Sequence, residues 1–287
     1  MLNKKQEKHV TDADAIRSLP RTRKEVFFDL LKNRKMTLFA LSCFTFMFFI
    51  PLAVDLFYFN FLETIAIANG KDEYLFSLVF YSMLIMLPCM LVGFVGFAGA
   101  FYTIKKLVWQ EDINLAQDFL KGIKENVGHA IVNGIVFGIV LFGLVVGGSY
   151  LLILAKGAPD ARVWCGIGIG ALILLFLVLG IVNALTFTQD VYYSNPYGVT
   201  FKNAFCFFGL LNWRVIVLYV LTTGVVVALA CLNMVTLGIG LFLFAILNSL
   251  VIVIYTLMSH SVFDKYINKE HYPDMVNKGL YKDDKEA

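Results

Sequence analysis

The sequence predicts an all-α, polytopic membrane protein with six transmembrane helices, and three observations carry that prediction. Of 287 residues, 59% are hydrophobic and 16% charged, with a mean hydropathy of +0.74. A globular domain carries about 25% charged and about 45–50% apolar residues. The apolar residues also gather in six runs of at least the ~20 residues a helix needs to cross ~30 Å of hydrocarbon. Finally, no run alternates with period two, which excludes the strands of a membrane barrel. Disordered, collagenous and disulfide-scaffold classes are excluded with the ordinary cytosolic enzyme.

The elements follow in order. Residues 1–24 form a basic leader, in which Lys4, Lys5, Lys8, Arg17, Arg21, Arg23 and Lys24 outnumber Glu7, Asp12 and Asp14. Such a segment is drawn to anionic lipid. It lacks the apolar core of a cleavable signal, so the first span is expected to act as an uncleaved anchor. Residues 25–265 form one membrane domain with spans at 37–59, 75–104, 128–155, 163–188, 215–235 and 237–259. The second span is over-long and contains Pro88, which predicts a kink or tilt. Residues 266–287 are expected to be a polar, solvated tail.

Charge orients the bundle. With six spans both termini share a side, and that side collects 21 of the 24 Lys and Arg residues, leaving Lys71, Lys156 and Arg162 opposite. The positive-inside rule makes the rich side, with both termini, cytoplasmic in a multi-pass inner-membrane protein. Tyr102, Trp109, Tyr192, Tyr193, Tyr197 and Trp213 are expected as headgroup anchors on that side, with Tyr58, Tyr74, Tyr150 and Trp164 opposite.

The approaches to spans one, three and five look alike. A short segment with apolar residues at helical spacing meets a basic, Asn-containing junction: Asn33 before span one, Asn126 before span three, and Asn212 with Arg214 before span five. Read as three repeats, each is an interfacial elbow helix followed by a transmembrane hairpin. The plainer account is that any inner loop before a span is basic and aromatic.

Candidate site residues are few. Asp55 is the one acid well inside a span, and a charge there is costly enough to suggest an ion or substrate contact, unless it reaches the outer headgroups. Asn133, Asn183 and Asn248 are polar residues within spans that serve either a ligand or a neighbouring helix. Gln189 and Asp190 fall just past span four, where Asp190 is expected to stay hydrated. The pairs Gly134/Gly138, Gly143/Gly147 and Gly166/Gly170 are spaced for close helix packing. Five scattered cysteines and four histidines (His9, His129, His260, His271) offer no disulfide framework, metal site or catalytic triad. Ser259, His260 and Ser261 with Asp264 read as an exit anchor. No cofactor or nucleic-acid partner is indicated; the expected partners are the lipid bilayer and a membrane protein or a second copy of the chain.

The run Pro88…Gly96-Phe97-Ala98-Gly99-Ala100-Phe101-Tyr102-Thr103-Ile104-Lys105-Lys106-Leu107-Val108, followed by Asp118-Phe119 and Lys124-Glu125-Asn126, resembles the bacterial YesL-like membrane-protein family. Lys202-Asn203-Ala204-Phe205 before Asn212 is similar to a later segment of that family. The likeness covers residues 80–265. The leader, the first span and the loop at 60–74 depart from the pattern. The resemblance implies a multi-span helical protein that accompanies carbohydrate-uptake systems, and it brings no catalytic residue. The sequence therefore points to a non-enzymatic accessory or scaffold of a membrane complex. The rival is a secondary transporter or channel for a small solute or ion. An intramembrane enzyme stands third.

Overall fold

The computed structural model describes residues 20–71, 74–210 and 213–281, and among them every regular element is helical. The chain runs through α1 (Arg23–Asn33), α2 (Lys35–Ala68), α3 (Leu75–Val108), α4 (Leu115–Gly157), α5 (Arg162–Tyr192), α6 (Tyr197–Leu210), α7 (Trp213–Tyr219), α8 (Val225–Leu232) and α9 (Met234–Phe263). Five of these are long and apolar enough to cross a membrane: α2, α3, α4, α5 and α9. The fifth predicted span is the stretch from Trp213 to Leu232, where a π-helical segment at Val220–Gly224 joins α7 to α8.

Local chemistry sets the boundaries. Thr22 caps α1 by accepting the Glu25 N–H, and the Glu25 carboxylate accepts the Arg21 N–H. That last bond holds the Glu25 carboxyl below the usual carboxylate range. At the other end of the chain, Asn233 is extended and accepts the N–H groups of Val235 and Thr236, while the Thr236 hydroxyl takes the Asn233 N–H. This capping box ends the fifth span at Leu232 rather than at residue 235. Pro51 and Pro88 both lie inside helices that continue past them.

α3 is the central helix, in contact with α2, α4, α5 and α9. Every residue from Ala98 to Ile104 is buried, as are Leu107 and Val108. Its glycines admit the neighbours: a Cβ on Gly93 would lie 2.6 Å from the Phe49 ring, one on Gly96 2.7 Å from Phe48, and one on Gly99 2.8 Å from the Phe119 carbonyl. From the α4 side, a Cβ on Gly122 would lie 2.4 Å from the Tyr102 side chain. The two backbones meet at a distance only glycine permits. Gly134 and Gly138 continue the seam against Leu91 and Leu87.

Three expectations change here. The segment before span three is no separate elbow: α4 is one helix of 43 residues, about 65 Å long. Its first turns bury Asp118, Phe119 and Gly122 against α3, so their apolar face is satisfied by protein instead of lipid. Asn126 is mid-helix, with its amide donating to the Gly122 carbonyl. Gly143/Gly147 and Gly166/Gly170 have nothing within 4 Å of a Cβ, so they are not packing faces within this chain. α1 does stand apart as a short helix, with one face buried through Val26 and Leu30, and α6 buries Thr200, Ala204 and Phe207. Asn33 closes α1 with its amide on the Asp29 carboxylate. Asn212 lies outside the described residues, as does the side chain of Arg214.

The bundle is densest at its basic end. Residues 264–281 do not trail away from it but fold back as a strap. Arg23 of α1 pairs with Asp264 at 3.0 Å and donates to the Lys278 carbonyl at 2.8 Å. The Tyr281 N–H reaches the Pro20 carbonyl at 2.9 Å, and Lys278 meets Glu111 at 3.0 Å. Gly279 has φ +82 and presses on the Val108 carbonyl, a place for no other residue. Trp109, Tyr192 and Tyr193, expected as lipid anchors, are packed under or beside this strap, and Tyr102 is buried against Gly122 of α4; Trp213, Trp164, Tyr58, Tyr74 and Tyr150 are exposed. The Lys105 ammonium caps α5 by donating to the Val191 carbonyl, with the Tyr102 and Trp109 rings 4.8 and 5.2 Å away.

Gly122→Val should lose roughly 1–3 kcal/mol or more of stability by forcing α3 and α4 apart. Gly147→Ala should be neutral or gain up to about 1 kcal/mol through helix propensity. Thermal unfolding of the two variants in one detergent checks the contrast.

Candidate functional site

Phenylalanines occupy the middle of the bundle. Phe97 meets Phe49, Phe94, Phe101, Phe187 and Phe244 with ring centroids between 4.7 and 6.4 Å, and Phe94 extends the layer to Phe137. Polar groups gather on either side of this layer.

Asp55 lies on the side away from the basic end, buried on α2, where it accepts a bond from the Ser82 hydroxyl of α3 at 3.4 Å. Ser82 is about 35 Å along α3 from Lys105. Asp55 therefore does not extend into water as an exposed residue would, but faces the α2–α3 contact. Asn248 serves packing: its amide donates to the carbonyls of Ser42 and Phe244, and the neighbouring Ser249 N–H reaches the Ser42 hydroxyl, tying α9 to α2. Thr222 and Tyr255 share a bond at 2.8 Å that holds the π-helical segment to α9.

The remaining candidates, Asn133 and Asn183, meet each other. The Asn133 amide donates to Asn183 Oδ1 at 2.7 Å, and the Tyr197 hydroxyl donates to Asn133 Oδ1 at 3.0 Å. One turn away, His129 Nδ1 lies 2.9 Å from Asp190 Oδ1. The His129 ring also packs edge-on against Tyr197, with centroids 5.9 Å apart. Three helices thus contribute to one polar cluster: His129 and Asn133 from α4, Asn183 and Asp190 from α5, Tyr197 and Thr200 from α6. Asp190, expected to stay hydrated, is instead withdrawn from water, its side chain 2% exposed. Its second oxygen, Oδ2, is buried with no hydrogen-bond partner, as are Thr200 Oγ1 and Gln189 Oε1. Burial and the Asp190 charge push the Tyr197 hydroxyl up to about 12, so it stays neutral.

A second cluster sits under the strap. His260 is fully buried; Nε2 accepts from the Trp109 indole N–H at 3.2 Å, and Nδ1 points at Asp264 from 3.9 Å without a hydrogen bond. This makes His260 part of the closure over α3 rather than a free anchor. Asp264, past the end of span six at 259, also accepts from Asn268 at 2.7 Å. Burial opposes its ionisation, but the nearby His260 ring and the bonds from Asn268 and Arg23 outweigh that and hold its carboxyl down at about 2. No group of His, Cys, Asp and Glu among the described residues is arranged to hold a metal ion.

No protein-family model, curated protein or solved structure matches this chain.

Sequence reading missed the His129–Asp190 pair. The two residues are 61 apart on different helices, and no motif links them. The one available signal was Asp190 itself, an acid at the very end of an apolar run.

Because Asp264 is held more acidic than in the unfolded chain, its contribution is present above about pH 4 and is lost as pH falls towards 2. Asp264→Asn should loosen the strap at neutral pH, by about 1–3 kcal/mol for lost charged hydrogen bonds. It should also flatten the acid dependence. Hydrogen exchange of the Asn277–Tyr281 amides measures both.

Proposed function

We propose that this protein is a membrane-embedded accessory or scaffold that works without chemistry, as part of a membrane complex serving solute uptake. The observation that carries the reading is the phenylalanine layer, in which Phe49, Phe94, Phe97 and Phe244 fill mid-depth where a transporter would keep a polar, water-accessible cavity. Asp55 on one side of that layer and the Asn133–Asn183 cluster on the other are left without a polar route between them. The concentration of Lys and Arg at the strap end supports placing that end, and both termini, in the cytoplasm of a bacterial cell. There the strap, α1 and α6 form a folded basic surface suited to docking against a partner. The resemblance of residues 80–265 to YesL-like proteins supports a link to carbohydrate uptake. The buried Asp55 favours the rival reading, a secondary transporter or channel.

The two readings separate in reconstituted vesicles. Sugar or proton flux should not exceed that of empty vesicles, and Asp55→Asn should change nothing; a flux abolished by Asp55→Asn would install the transporter instead. Gently solubilised membranes should return one membrane-protein partner at constant stoichiometry, whereas the chain recovered alone each time counts against a scaffold.

A further inference from the structure

The His129–Asp190 pair has no assigned role, and its surroundings are unusual for a structural ion pair. A carboxylate withdrawn from water beside lipid is expensive unless a positive charge and hydrogen bonds compensate it. The charge that compensates Asp190 is His129, whose Nδ1 lies 2.9 Å away; the Thr200 hydroxyl also faces the carboxylate, but Oδ2 makes no hydrogen bond. His129 is asymmetric in the opposite sense. Its Nδ1 is committed to the buried carboxylate, but its side chain is 35% exposed, and Nε2 makes no hydrogen bond and is not buried. The pair thus has a closed end on α5 and an open end on the bundle surface.

The other titratable and charged groups nearby are accounted for. On α6, Tyr197 is bonded to Asn133. On α4, Glu125 stands one turn before His129 and faces Lys121 at 3.8 Å. On α3, Lys105 is spent on the Val191 carbonyl. On α9, His260 is packed on Tyr192 and bonded to Trp109. None of these has a bond to Asp190, so whether the buried carboxylate is neutralised depends on His129.

We propose that Asp190 and His129 form a one-sided proton-binding site, loaded through His129 Nε2 from the basic end of the bundle, and that its occupancy sets how firmly α6 is clamped to α4 and α5. In the loading step a hydronium ion gives its proton to the Nε2 lone pair and leaves as water. The Nδ1–H bond to Asp190 Oδ1 is kept, and the net charge of the pair goes from −1 to zero. The loaded pair is an imidazolium–carboxylate bond between α4 and α5, with Tyr197 and Thr200 of α6 laid against it. The empty pair leaves a buried net negative charge, relieved by letting water in where α6 meets the pair. The phenylalanine layer closes the far side, so the site senses the proton activity of one compartment and passes nothing across.

The experiment is hydrogen exchange on the full chain in lipid nanodiscs over a pH series, corrected for intrinsic exchange, reading the Phe201–Phe205 amides of α6 against the middle of α5. In the native protein, α6 protection should fall as pH rises through one protonation step, by up to about tenfold per pH unit, while α5 stays level. Asp190→Asn and His129→Gln should each abolish that slope. Tyr197→Phe, which leaves the pair intact, should lower protection at all pH values and keep the slope. It serves the test even if a change within the pair prevents folding. A flat profile in the native protein, a slope that survives in both pair variants, or a slope lost in Tyr197→Phe would each overturn the proposal.

Discussion

The close approach of α3 and α4 is the constraint on which the rest of the bundle depends. Helices in lipid gain nothing from burying apolar surface against each other, since the surrounding tails are equally apolar. Association must come from contact at short range. Gly99 and Gly122 supply it by removing the side chains that would otherwise hold the two backbones apart. Once the pair is closed, Gly93 and Gly96 on another face of α3 receive Phe49 and Phe48 of α2, and the Phe101 ring stacks on Phe187 of α5 at 5.3 Å. α3 becomes the axis around which the other spans are placed.

That axis also explains the lopsided distribution of order along the bundle. Where α3 carries small residues, at Gly93 through Ala100, neighbours crowd in and burial is nearly complete. Beyond Gly138 on α4, and before Gly180 on α5, only Cys165 is buried, and Gly143, Gly147, Gly157, Gly166 and Gly170 meet open space, while Gly168 meets Leu151. Polar side chains follow the same gradient. Asn133, Asn183, His129, Asp190 and the groups beneath the strap lie towards the tight end, where fixed partners are available to replace water, while Asp55 and Ser82 pair at the looser end.

Much of this was legible in the sequence because lipid imposes a simple rule: a run of some 20 apolar residues must be a helix that satisfies its own backbone. The spans, the even topology and the position of both ends on one face follow from it. Partner choice did not. Phe119 and Gly122 have the spacing of an interfacial helix, and nothing local states that α3 will cover them. Likewise Asn133 and Asn183 were recognisable as buried amides, but their meeting with each other and with Tyr197 depends on how α4, α5 and α6 cross. The aromatic residues at the basic end misled for a related reason. Trp109 and Tyr192 do sit where amphipathic rings belong, yet the chain spends them on Lys105, His260 and Lys278 instead of headgroups.

The strap sets an order on biogenesis. Arg23 leaves the ribosome well before its ligands, Asp264 and the Lys278 carbonyl, which follow 241 and 255 residues later. During that interval α1 lacks the strap that closes over it. The assembly is sealed only once residues 264–281 have emerged, so a chain cut short before them would leave its inserted rods with an unfastened end.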